Sequence, residues 1–160
     1  MAMPPAPLKK MIRPRYTGIP TFLRSPHQEN LNGIDIALIG VPYDGGVTNR
    51  AGTRHGPREV RNQSSLIRLM NQATGVRPHE LVTVADIGDA YVERPFHLEN
   101  AHNEIQDVFE PIHAAGVIPL SIGGDHSISL PILRVLGQER PVGMVHIDAH
   151  CDTGDDYVSG

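Results

Sequence analysis

The stretch Val142-Gly143-Met144-Val145-His146-Ile147-Asp148-Ala149-His150-Cys151-Asp152 decides how this chain folds. Residues 142–147 are mostly apolar and predict a buried β-strand. Asp, His and Asp then recur at every second position. Alternate side chains of an extended strand point the same way, so Asp148, His150 and Asp152 fall on one side, with Ala149 and Cys151 on the other. Two carboxylates and an imidazole converging from so few residues are the donor set of a hard or borderline divalent metal. They stand at the C-terminal end of their strand, where open parallel sheets bind ligands.

A second element points to the same place. Gly123-Gly124-Asp125-His126-Ser127 follows the apolar run 117–122. Its glycines allow a tight turn with positive φ, which presents His126 beside the neighbouring strand end. His126 and the Asp-x-His-x-Asp run can therefore bind a pair of metals from two strand ends. A plainer alternative is that these groups merely cap strands and helices. That alternative suits a lone Asp or His better than four such groups on two strand ends. His146 has the parity of Asp148 but lies one step deeper, and is assigned to packing or to support of the ligands. Cys151 has the opposite parity and reads as a small buried filler rather than a thiolate ligand or nucleophile. His27, His79, His97, His102 and His113 read as ordinary surface or core residues, and only His55 also falls near the strand ends.

Outward from these motifs the pattern alternates. Residues 1–30 carry Pro4, Pro5, Pro7, Pro14, Pro20 and Pro26 and read as an arm over the domain or over a neighbouring subunit. Residues 31–160 read as a single α/β domain. A strand over 34–41 ends at Pro42, and a Gly-rich loop spans 43–56. That loop has neither G-x-G-x-x-G nor G-K-[ST], so it is no phosphate cradle. It either walls the metal cleft or only serves the turns. Pro57 opens a helix with Val60, Ile67 and Met70 on one face. A strand over 81–87 follows, then an amphipathic helix marked by Leu98, Ala101, Ile105, Val108, Phe109 and Ile112 and ending near Gly116. The strand 117–122 leads to a helix that starts at 127–129, carries Pro131 in its first turn and ends near Gly137. With 142–147 as the fourth strand, the order β-α-β-α-β-α-β predicts a parallel α/β sheet with right-handed crossovers. No helix follows to cover the fourth strand, so these 160 residues are expected to be part of a longer chain or one piece of a divided protein.

Composition narrows the function classes. The chain is 39% apolar with a net charge of −4 and no basic cluster, which argues against nucleic acid as a partner. No signal peptide and no membrane-spanning run is recognisable. The single cysteine fits a reducing compartment, with cytoplasm as the default. G-x-S-x-G is absent, and no Ser-His-Asp arrangement can be argued from the spacing.

Gly123-Gly124-Asp125-His126-Ser127 and Asp148-Ala149-His150-Cys151-Asp152 resemble the first two signatures of the ureohydrolases, the family of arginase, agmatinase, guanidinobutyrase, guanidinopropionase and formimidoylglutamase. Gly40-Val41-Pro42-Tyr43-Asp44-Gly45-Gly46 and Gly52-Thr53-Arg54-His55-Gly56-Pro57 resemble its agmatinase-like branch. The resemblance implies a three-layer α/β/α sandwich with a parallel sheet, of which this chain is the N-terminal half. It implies two Mn2+ ions, or Ni2+ as in some relatives. His126 and Asp152 would bind one metal, His150 the other, and Asp148 would bridge both. It also implies a homo-oligomer, a trimer or hexamer. A third signature like Ser-x-Asp-x-Asp, with further aspartate ligands, is absent, as are the family's proton-transfer His and guanidinium-binding Glu.

The implied chemistry is hydrolysis of a guanidino group to urea and an amine, with Asp148 and His150 as the catalytic pair of metal ligands and Asp125 either orienting its loop or bonding to His126. Tyr157 is the candidate to hold a substrate carboxylate, and Asp155 or Asp156 to attract an amine, unless residues 153–160 are simply a solvated acidic loop. Gly154 stands where arginases often carry Asn, which argues against arginine. Tyr157 and the stretch Pro14-Arg15-Tyr16-Thr17-Gly18-Ile19-Pro20-Thr21-Phe22 resemble the guanidino-acid branch, so 3-guanidinopropionate or 4-guanidinobutanoate is preferred over agmatine. Three rivals remain: a metallophosphoesterase, whose Asp-x-His comes first in the chain; a single-zinc deacetylase on the same broad fold; and an inactive truncated or subunit-like fragment.

Overall fold

In the computed structural model, which describes residues 14–152, the sheet is built around β1, Ile36–Val41. These residues carry no charge and are covered on both faces, so the strand takes the central place. β2, Val84–Asp89, and β3, Ile118–Gly123, flank it in the order β2-β1-β3, both parallel to it. Ile36 stands beside Val84 on one side and Ile118 on the other.

The helices cover the two faces. Ala37, Ile39 and Val41 point toward α3, Leu98–Ala114, and α4, Ser129–Leu136. Ala101, Ile105, Phe109 and Ile112 recur every three or four residues and form the buried stripe of α3. Burying a side chain such as Phe109 contributes about 1.5–3 kcal/mol. Leu38 points the other way, into a smaller cluster with Phe22 and Val84. On that side lie α1, Gly56–Ser64, and the 3-10 turn Phe22–Arg24. Helix, sheet and helix thus make the three layers expected from the sequence. None of the described helices is long and apolar enough to cross a membrane.

The described part of the N-terminal arm lies on its own domain. The Asp86 N–H donates to Pro26 O (2.9 Å) and the Gln28 N–H to Asp86 O (3.0 Å), so the arm pairs with the outer edge of β2. Residues 1–13 lie outside the described residues.

Three expectations are corrected. α1 stops at Ser64, so Ile67 and Met70 do not extend the helical face of Val60. The strand expected over 81–87 begins only at Val84, because Pro78 starts a one-turn helix, α2, Pro78–Leu81. Residues 142–147 form no strand; Val145 and Ile147 are almost fully exposed. An apolar run becomes a buried parallel strand only with a ladder partner and covered faces, and nothing among the described residues covers this one.

Candidate metal centre

The turn after β3 is held by close backbone packing. Gly124 has φ +73°, and a Cβ there would lie 2.5 Å from Val41 O, so only glycine fits. The Asp125 N–H donates to Tyr43 O (2.8 Å). The Asp125 carboxylate caps the 3-10 turn His126–Ile128, accepting from the Ser127 N–H (2.9 Å) and hydroxyl (2.5 Å). It also accepts the Gly46 N–H at 2.7 Å. Gly46 must be small, since a Cβ would stand 2.8 Å from the Ser127 side chain. Asp125 therefore ties the loop 43–56 to the turn that presents His126.

That loop has its own anchor. Asp44 is buried and accepts from the Gly52 N–H (2.7 Å), the Arg54 N–H (3.3 Å) and Arg54 Nε (2.5 Å). The Arg54 guanidinium holds the Asp44 pKa down at about 2, against the effect of burial.

His126 projects from this turn to the downstream motif. Its Nδ1 lies 2.5 Å from Asp152 Oδ2 and 3.9 Å from Asp148 Oδ2. Asp152 takes φ +45°, a left-handed conformation that Asp tolerates better than most residues. The Asp148 carboxyl sits below the usual carboxylate range: the His150 N–H donates to its Oδ1 (3.1 Å), partial burial opposes, and the Ala149 N–H, His126 and His146 add to the lowering. His150 thus meets Asp148 through its backbone. Its imidazole is not in the one group of three donor atoms, among the described residues, that lie within 4.8 Å of one another.

That group is His126, His146 and Asp148. His146, assigned to packing or support from the sequence, stands edge-on to His126 with ring centroids 4.7 Å apart, and its Nε2 lies 3.6 Å from Asp148 Oδ2. No sequence signal accounts for this place, since side-chain parity needs a strand and residues 142–147 form none. Cys151 is exposed, which corrects the buried filler expected from strand alternation: with no strand, there is no inward face for it. His55 is exposed in the 3-10 turn Thr53–His55. Tyr157 and Asp155 lie outside the described residues. Imidazole nitrogens and carboxylate oxygens from two segments suit a borderline or hard divalent metal.

A model of the arginase family matches residues 34–160. The chain is 53% identical over 153 residues to guanidinopropionase of Pseudomonas aeruginosa, covering 96% of this chain and 48% of that protein. It is 45% identical over 146 residues to guanidinobutyrase of the same organism, covering 89% and 46%. It spans about half the length of these curated relatives. Among solved structures, proclavaminate amidino hydrolase of Streptomyces clavuligerus matches with TM-score 0.82 and 38% identity, over 91% of this chain and 48% of the other. Trypanosoma cruzi formiminoglutamase, solved with Mn2+, matches with TM-score 0.56 and 27% identity over 74% and 41%. With the parallel sheet, the glycine turn that presents His126 and the acidic motif beside it, the chain belongs to the arginase family.

Proposed function

We propose that this chain supplies the N-terminal part of a binuclear-metal amidinohydrolase that cleaves a guanidino acid, 3-guanidinopropionate or 4-guanidinobutanoate, to urea and an amine. The observation that carries this is the approach of His126, on the turn after β3, to both Asp152 and Asp148. His126, Asp148, His150 and Asp152 would hold the cations. Mn2+ is the preferred metal and Ni2+ the alternative, in keeping with the mixed imidazole and carboxylate donors.

When bound, the metals supply the Lewis-acid activation of water that a delocalised, poorly electrophilic guanidinium carbon requires. The remaining work belongs to the chain's own residues. Asp125 keeps His126 in place by joining its turn to the loop 43–56. Asp148 keeps its carboxylate ionised, helped by the His150 N–H. Tyr157 is assigned to the substrate carboxylate, and Asp155 to an amine if agmatine is the substrate. The whole protein acts as a homo-oligomer, trimer or hexamer, in the cytoplasm.

The test is urea release by the intact gene product, loaded with Mn2+ or Ni2+ and offered guanidinopropionate, guanidinobutanoate, agmatine and arginine in turn. Guanidinopropionate or guanidinobutanoate should be turned over fastest. Faster turnover of agmatine moves the substrate to the second choice, and urea from none of the four rejects the function. Asp148→Asn should abolish turnover in a protein that still folds.

A further inference from the structure

The two halves of the metal centre differ in how firmly they are held. His126 sits on a turn fixed by Asp125, Ser127 and the backbone of Tyr43. Asp148 and Asp152 sit on a segment, 141–152, that has no regular structure and is exposed along its length. Donors on irregular backbone must be ordered when a cation binds, and that ordering weakens binding unless something has already fixed them. Within this segment His146 is placed against both His126 and Asp148. Its ring packs edge-on to His126, with centroids 4.7 Å apart and planes at 68°. Its Nε2 faces Asp148 Oδ2 at 3.6 Å, slightly beyond hydrogen-bond length.

We propose that His146 is a positioning residue of the metal centre: its ring locks the irregular segment onto His126, and its Nε2 orients the Asp148 carboxylate for the cations. This rests on the metal-centre assignment above. The donor atom of His146 also lies within 4.8 Å of those of His126 and Asp148, so the number of bound ions distinguishes a supporting ring from a ligand. Groups that orient metal ligands in this way commonly change affinity by about 10–100-fold when removed.

The test is calorimetric titration of the full-length protein with Mn2+, together with the electron paramagnetic resonance spectrum of the bound ion. His146→Ala should weaken Mn2+ binding by about 10–100-fold with an unchanged number of bound ions and an altered spectrum. His146→Phe keeps the ring contact and loses the nitrogen. It should recover part of the affinity, and it carries the test if the alanine variant does not fold. Wild-type affinity and spectrum in both variants overturn the proposal. Loss of a whole equivalent of bound metal overturns it in the other direction, by making His146 a ligand. Asp148→Asn separates this inference from the reading beneath it. If Asp148→Asn binds Mn2+ like the wild type, the metal-centre assignment itself fails. If it loses Mn2+ while the His146 variants do not, only the role of His146 fails.

Discussion

The two edges of the sheet start from similar strands and end in opposite conditions. β2 reads Val-Ala-Asp-Ile-Gly-Asp and β3 reads Ile-Pro-Leu-Ser-Ile-Gly, so β3 has no charge and looks the more buried of the two. It is β2 that is covered. The arm pairs with Asp86, Phe22 tucks in at 1% exposure, and its N–H reaches Asp86 Oδ2 at 2.9 Å. Arg61 lies 3.9 Å over the Phe22 ring and contacts both Asp86 oxygens (2.9 and 3.0 Å), Asp89 (2.6 Å) and Gly88 O (2.8 Å). Burial works against the Asp86 carboxylate, but Arg61 and the N–H groups of Phe22 and Gly88 outweigh it and keep its pKa below the ordinary value. β3 has no such return of chain among the described residues, and Ile118 and Leu120 stay 65% and 47% exposed. Among the described residues, returning polar groups close the β2 edge. His126 stands on the turn that follows β3 at its C-terminal end.

The strongest way to break this contrast is to unpair the closed edge. Arg61→Ala leaves the Asp86 carboxylate buried without its cation and removes the cover over Phe22. A loss of about 3–5 kcal/mol is expected, as for other buried pairs stripped of one partner. Urea unfolding measures it. A loss below about 1 kcal/mol would mean that the arm, not the ion pair, closes the edge.

A smaller effect compares matched leucines. Leu38, 1% exposed on β1, faces the Phe22 cluster, and Leu120 stands half-exposed on β3. Leu38→Ala should cost about 2–5 kcal/mol. Leu120→Ala should stay below about 1 kcal/mol, because little apolar area returns to water. Equal costs in the full-length protein would show that this face of β3 is covered there, and the contrast between the edges would disappear.

What the sequence revealed, and what it hid, follows the same division. Local signals read well: the stripe of Ala101, Ile105, Phe109 and Ile112 placed α3, and Gly123-Gly124 foretold a turn that Gly124 makes with positive φ. The approach of His126 to Asp148 and Asp152 was expected from the two motifs, although the strand thought to carry the second is absent and the His150 imidazole does not join the group. Contacts between residues far apart in the chain were not. Nothing local says that Arg61 pairs with Asp86, or that Phe22 leaves the arm to sit beneath that guanidinium. The run 142–147 misled because apolarity reports suitability for burial, while a strand also needs a partner. His146 was read from its parity with Asp148, which has no basis without a strand, so its place beside His126 was not legible.

The smallest expected effect concerns the loop 43–56, which gives the turn before His126 the firmness that the open edge lacks. Asp44 anchors that loop with a pKa held down at about 2 by Arg54. A carboxyl depressed in the folded state stabilises the fold above its unfolded pKa and loses that contribution as pH falls toward the folded one. For Asp44 the window runs from its ordinary 3.8 down to about 2. Asp44→Asn should therefore be less stable than the wild type at neutral pH, and the gap between them should narrow as pH is lowered through this window. Parallel unfolding curves at pH 6, 4 and 2.5 measure the gap. A gap that stays constant to the lowest pH would show that Asp44 holds the loop by shape and neutral hydrogen bonds, and that the charge on Arg54 adds nothing to the firmness of the His126 side.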